Sequence, residues 1–357
     1  MTETSPTTTT VGGAPTAAPS SYRPDRLVFL FPGRAAAATG MGRGAYAAPV
    51  VRAGIDTTLA ALDGALAGRV HAVLFGPPGG PVPPDAADPA LFVLEHALTR
   101  LLTDAGLAPD TVLGYGVGEV TAACAAGVLD PADALRLAVG YGRLAADLPP
   151  TATMSVGLPP AEVTRQLPPG VRLVAVDTPE SCVVAGPEPE LRRWERDLAQ
   201  LYVTCHRPPT PVAGHPDDVP SRLAPVAGAL VGVAPRTPRI RWLSSVSGRP
   251  VSADEAVDRE HWLRQPLHPV RFADAAGQLR AGDRLVEVGP GGTLTGLLRQ
   301  SNPDLPARAV LPTDAEGRPP SHPDPVRAVR ALLAARRDSP HLPDQTEAGV
   351  PRPGRRR

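Results

Sequence analysis

Three glycines on alternate positions constrain this chain more than any other feature. Gly114-Tyr115-Gly116-Val117-Gly118-Glu119 follows the apolar run Thr111-Val112-Leu113 and precedes an alanine-rich, helix-like stretch at 119–127. A strand that gives way to a helix in so few residues needs a sharp turn, and glycine takes strained turn conformations at little steric cost. The spacing is that of Gly-x-Ser-x-Gly, the strand–turn–helix elbow that lifts a nucleophile over the edge of a mixed α/β sheet. The centre of the pattern here is Gly116, which has no side chain to attack with. The same glycines fail the dinucleotide fingerprint Gly-x-Gly-x-x-Gly, whose third glycine position is Glu119.

A chain of 357 residues can bury a sizeable core in one large or two smaller domains. Its formal net charge of zero gives no electrostatic reason to expect nucleic acid or a membrane surface as partner. All 36 basic residues are arginine. The absence of lysine excludes a Walker-type phosphate loop, a Schiff-base lysine and a Ser–Lys dyad. Cys124, Cys182 and Cys205 are few, odd in number and far apart, so neither a disulfide framework nor a metal site is expected. Cys124 falls on an apolar helix face and reads as a small core hydrophobe. No apolar run approaches the length of a membrane span, and the N-terminus lacks a basic-then-apolar signal pattern. The expected location is cytoplasmic.

Residues 1–24 are rich in Ser, Thr, Pro and Ala and read as a disordered tail, as does the Pro/Arg-rich segment 338–357. Between them the pattern is mixed α/β. Residues 25–151 form the first part of a large subdomain: a strand at Leu27–Phe31, a helix around 44–66, a Pro/Gly loop at 76–87, a helix from Pro89 to Ala105, the strand at 111–114, and a helix from Pro131 capped by Asp130. Residues 152–211 change texture. Their strands and helices follow the order β-α-β-β-α-β, with Val171–Val176 and Ser181–Ala185 as the central strands and Tyr202–His206 as the last, which is a ferredoxin-like arrangement. Residues 212–337 return to the large subdomain, with strands at Ile240–Ser244 and Arg284–Val288, helices around 253–263 and at 294–300, and a Gly289-Pro290 turn between them.

Several motifs then occur in order. Leu30-Phe31-Pro32-Gly33 is followed by Gly40-Met41-Gly42, Pro89-Ala90-Leu91-Phe92, the block from Gly114 to Leu129, His215, Trp262 with Pro269-Val270-Arg271-Phe272, and Val286-Glu287-Val288-Gly289-Pro290. From about Leu27 to about Leu311 the chain resembles the malonyl-CoA:acyl-carrier-protein transacylases, including the acyltransferase domains of polyketide synthases. The resemblance implies an α/β-hydrolase-like large subdomain carrying an inserted ferredoxin-like small one. It implies ping-pong acyl transfer, in which a serine attacks an acyl-CoA thioester, a histidine serves as base and backbone N–H groups hold the oxyanion. A phosphopantetheine thiol on an acyl carrier protein takes the acyl group. The implied ligand is an acyl-CoA or phosphopantetheine thioester, with no bound cofactor. The implied partners are an acyl carrier protein and a ketosynthase of an assembly line.

Carried across position by position, the site is rewritten. The nucleophile position is Gly116, and the residue before it, usually His, is Tyr115. Arg34 stands for the Gln of the opening loop, followed by the alanines of Ala35–Ala38, and Asp88 for the Gln before Pro-Ala-Leu-Phe. Tyr141 stands for the carboxylate-binding Arg, which disfavours a dicarboxylate substrate. Val212-Ala213-Gly214-His215 keeps the base position and places Gly214 in the specificity motif. The base would be oriented by the backbone carbonyl of Arg271, and the oxyanion donors would be the N–H groups of Val117 and Arg34. Arg34 has two readings: it pairs a phosphate or acidic substrate, or it fills the emptied site and pairs with Asp88 or Glu119. His215 likewise either activates water or remains as a polar pocket residue. Three functions follow: a non-catalytic carrier-binding subunit, a His215-dependent thioester hydrolase or transferase working without an acyl-enzyme, or a decayed product.

Overall fold

The computed structural model describes residues 26–149, 151–207, 216–312 and 325–334. The two tails expected to be disordered, and Gly214 and His215, lie outside the described residues.

The chain begins with β1 (Leu27–Phe31), an apolar run buried on both faces, as suits the interior of a parallel sheet. Three helices follow: α1 (Pro49–Leu59), α2 (Gly64–Phe75) and α3 (Pro84–Asp104). The single helix expected at 44–66 is therefore two, because the chain turns at Ala60–Asp63 and Asp63 caps a new helix by accepting the Leu66 N–H at 2.9 Å. Helix α3 starts at Pro84 rather than at Pro89. Proline fits the first turn, and Pro89 is carried inside a helix that is buried from Ala86 to Glu95. Next come β2 (Thr111–Gly114), α4 (Gly118–Ala125) and α5 (Pro131–Asp147), the last capped by Asp130, which accepts the Asp133 N–H at 2.9 Å.

Then follow β3 (Ala152–Val156), α6 (Pro160–Gln166), β4 (Arg172–Thr178), β5 (Ser181–Gly186), α7 (Glu188–Gln200) and β6 (Cys205–His206). Strand β6 is shorter than the sequence suggests, since Tyr202 takes a left-handed φ of 59° as the chain leaves α7. The chain continues through α8 (Ala224–Ala229), β7 (Arg241–Ser244), β8 (Arg249–Pro250), α9 (Ala253–Val257), α10 (Glu260–Arg264), β9 (Val270–Arg271) and α11 (Phe272–Ala276). It closes with β10 (Arg284–Pro290), α12 (Thr293–Ser301), β11 (Ala307–Leu311) and α13 (Pro325–Ala334).

Two sheets organise these elements. The larger has the order β11-β10-β1-β2-β7-β8 and is parallel except for its last pair. The smaller has the order β6-β3-β5-β4-β9. Its first four strands show the ferredoxin-like order and pair antiparallel, while β9 joins from the far end of the chain and runs parallel to β4, with Val176 opposite Arg271. The fold is thus an α/β-hydrolase-like unit with a ferredoxin-like sheet inserted in it.

In the larger sheet β1 has β10 on one side and β2 on the other. In open parallel sheets a crevice forms beyond the carboxyl ends of strands where connections leave in opposite directions. Arg34 follows β1, Gly116 follows β2 and Thr293 follows β10, so all three rise from that edge.

Candidate functional site

At the end of β2 the chain makes the turn that the glycine spacing requires. Gly116 has φ +55°, the left-handed conformation, and a Cβ placed on it would meet nothing within 4 Å. Its neighbours are held tightly. A Cβ on Gly118 would lie 2.1 Å from the Phe31 carbonyl oxygen, and one on Gly114 would lie 2.2 Å from the Glu119 nitrogen. The elbow is therefore clamped between β1 and its own helix while its apex faces open space. The Gly116 carbonyl accepts a hydrogen bond from the Gln265 amide.

That open space is a cavity of about 390 Å³ between the two sheets. Its floor comes from Gly33–Ala36 and Tyr115–Val117, one wall from Tyr141, Leu144, Ala145 and Leu148 of α5, and another from Leu173, Val174, Ala175, Asp177 and Val183 of the smaller sheet. Gln265–Val270 and Thr293, Leu294 and Leu297 complete it. The volume is of the size that holds small molecules, roughly 300–1,000 Å³.

Of the residues singled out from sequence, Arg34, Asp88, Tyr115, Gly116, Val117 and Tyr141 all line this one cavity. Arg271 does not. Its backbone sits in β9, its guanidinium turns outward to Asp274 at 2.7 Å, and the neighbouring Val270 faces the cavity instead.

Arg34 pairs with Asp88. Its Nε donates to Oδ1 at 2.9 Å, a terminal nitrogen donates to Oδ2, and the same nitrogen lies 3.4 Å from the Tyr141 carbonyl oxygen. The Asp88 side chain is fully buried and Arg34 only partly so. This two-point geometry is the strong form of an arginine–carboxylate pair. It replaces two positions that would carry glutamine in the resembled family. The Tyr141 hydroxyl donates to the Trp262 carbonyl at 2.7 Å, which satisfies a buried phenol and leaves only its ring for the cavity.

Tyr115 reaches across the cavity, and its hydroxyl donates to Asp177 Oδ1 at 2.8 Å. Burial pushes the Asp177 carboxyl up to about 6 against the opposing effect of that hydrogen bond, and burial likewise holds the Tyr115 phenol well above its usual range. Asp177 was not singled out from sequence. It ends an apolar strand just before Thr178-Pro179, and a carboxylate closing such a run is a weak signal that no spacing rule ties to Tyr115.

Glu119, directly after the elbow, is fully buried and outside the cavity. Its Oε2 accepts from the Ser245 N–H at 3.0 Å and from the Ser245 hydroxyl at 3.1 Å, and its Oε1 lies 3.5 Å from His261 Nε2. It braces the start of α4 against the end of β7. The backbone N–H groups of Arg34 and Val117 have no acceptor among the described residues, and both residues border the cavity. Among the described residues no group of three or more His, Cys, Asp or Glu could hold a metal ion, and no helix is long and apolar enough to cross a membrane.

Known proteins share this architecture. The family profile described as the acyl transferase domain matches residues 28–317. Over 284 residues the chain is 37% identical to a phenolphthiocerol/phthiocerol polyketide synthase of Mycobacterium tuberculosis, covering 78% of this chain and 19% of that protein. The chain thus spans about a fifth of the length of that curated relative. Among solved structures it is similar to the acyl transferase domain of SpnD in complex with 2-(pent-4-yn-1-yl)malonyl. The TM-score is 0.78 and the identity 32%, covering 90% of this chain and 79% of that one. A loading acyltransferase from the avermectin modular polyketide synthase matches with a TM-score of 0.73 and 28% identity, over 86% of this chain and 99% of that one.

Proposed function

This chain belongs to the acyl transferase domain family, of polyketide synthase type, and we propose that it binds an acyl thioester presented by an acyl carrier protein without taking the acyl group onto itself. The observation that carries the proposal is Gly116: it occupies the apex of an intact elbow, opens onto a cavity of about 390 Å³, and offers no attacking atom. Loss of a triad nucleophile costs several orders of magnitude in rate, whereas the surrounding pocket can still bind.

The remaining parts suit binding. The N–H groups of Arg34 and Val117 border the cavity and can donate to a thioester carbonyl oxygen there. Leu144, Leu148 and Leu297 supply apolar contact for an acyl chain. His215, at the position of the family's base by resemblance, has no hydroxyl at 116 from which to take a proton.

The proposal is tested by titrating the protein with a carrier protein whose phosphopantetheine bears an acyl group through a stable amide. Saturable binding that is stronger than for the unacylated carrier, and that a cavity-filling Leu148→Trp substitution weakens, is expected. Equal affinity for acylated and unacylated carrier, or no binding, would overturn it.

A further inference from the structure

We propose that the acyl group this cavity accepts is an uncharged alkyl chain, so that its ligand is a monocarboxylic acyl thioester and not a dicarboxylic one. The inference rests on the reading that the cavity holds a thioester, and it names the chemical class.

A free carboxylate entering a partly desolvated cavity needs a cation or several donors, because an unpaired charge there is costly. The chain has no lysine, and Arg34 is the only arginine among the described residues that line the cavity. Its charge is already spent. Asp88 takes two of its nitrogens, the Asp88 side chain is fully buried, and Arg34 is the partner of both Asp88 oxygens. A ligand carboxylate that displaced Asp88 would strand a buried negative charge. One that did not would lie beside it.

Among the described residues of the wall there is no second arginine, and the hydroxyls of Thr153, Ser155 and Thr293 are neutral donors that carry no charge to offset a carboxylate. The Tyr141 hydroxyl is committed to the Trp262 carbonyl, and the Tyr115 hydroxyl to Asp177. Asp177 is itself an acid and adds repulsion when ionised. His206 and His268 also line the cavity, and neither offers the planar, five-donor fork of an arginine. Against this, Leu144, Leu148, Leu173, Val183, Leu294 and Leu297 present hydrocarbon on three sides. The walls reward methylene groups and penalise a second carboxylate.

The test is calorimetric titration with two hydrolysis-resistant probes, hexanoyl- and malonyl-pantetheine linked through an amide. The wild-type protein is expected to bind the hexanoyl probe at least about tenfold more tightly than the malonyl probe. Asp88→Asn preserves the shape and releases the Arg34 charge, so malonyl binding should strengthen by at least about threefold. Malonyl binding equal to or tighter than hexanoyl in the wild type would overturn this inference and leave the binding function standing. Binding of neither probe would overturn the functional reading and this inference with it. A folded Asp88→Asn protein with unchanged malonyl affinity would overturn the role given to the ion pair. The wild-type comparison decides the class of ligand whether or not the variant folds.

Discussion

The Tyr115 hydroxyl donates to Asp177 at 2.8 Å, and this one bond ties the elbow of the larger sheet to strand β4 of the smaller one across the cavity between them. A hydrogen bond to a charged, mostly buried acceptor contributes on the order of 1.5–3 kcal/mol. Tyr115→Phe should therefore lower stability to urea by roughly that amount at neutral pH, where Asp177 is ionised. The loss should shrink in acid, where the protonated carboxyl needs the phenol less. An unchanged urea midpoint at neutral pH would contradict the bridging role.

The Asp177 carboxyl titrates at about 6 in the folded protein, against 3.8 for an ordinary aspartate. The folded state therefore holds its proton more tightly than the unfolded state does. The resulting stabilisation is full below pH 4, and it is lost as pH rises through 6. Unfolding free energy measured against an Asp177→Asn reference should fall between those limits and level off above about pH 7. A difference that is flat across the window, or that rises with pH, would show that Asp177 is not the group responsible.

The three elbow glycines should respond differently to the same substitution. Gly116→Ala places its methyl in open space and costs only the left-handed backbone, roughly 1–2 kcal/mol. Gly118→Ala drives a methyl to 2.1 Å from the Phe31 carbonyl oxygen, which cannot move without shifting β1. Overpacking costs about 1–3 kcal/mol and occasionally more, and so short a contact with backbone puts Gly118→Ala at the upper end. Thermal unfolding of the two variants should separate them clearly, with Gly118→Ala the weaker. Equal melting temperatures would mean that the elbow is not clamped as described.

Much of this was legible in the sequence because it is written in local pattern. The apolar run Leu27–Phe31, the glycine turn at 114–118, the Asp130 cap and the β-α-β-β-α-β order all depend on neighbours in the chain. The helix break at Ala60–Asp63 was missed although Asp63 is a good cap, since alanine and leucine continue the helical texture on both sides of it. The site was legible only as a set of positions. Arg34 and Asp88 are 54 residues apart, and the sequence left both Asp88 and Glu119 open as partners for Arg34. The fold decides between them by committing Glu119 to Ser245 and His261 behind the elbow. Tyr115 follows β2 of the larger sheet while Asp177 lies in β4 of the smaller, and β9 reaches the smaller sheet from nearly a hundred residues beyond β4. No periodicity within a segment encodes a contact of that kind.

Glu119 offers a test of bracing as distinct from chemistry. Glu119→Ala would leave the Ser245 N–H and hydroxyl without their acceptor in a fully buried position. Each unsatisfied group costs about 1–3 kcal/mol. Glu119→Gln keeps an acceptor oxygen for Ser245 and should retain most of the stability. Denaturation curves in which Gln is as damaging as Ala would indicate that the charge beside His261, and not the hydrogen bonds to Ser245, holds the elbow.

The central claim, that a working pocket surrounds an absent nucleophile, is tested most directly by intact-protein mass spectrometry after incubation with hexanoyl-CoA. The wild-type protein should show no added mass at any time point. Gly116→Ser should gain one hexanoyl group, as the new hydroxyl attacks the thioester carbon, gives up its proton and releases the CoA thiol. A stable acyl adduct on the wild-type protein would contradict the account outright, because it would place a nucleophile somewhere other than position 116.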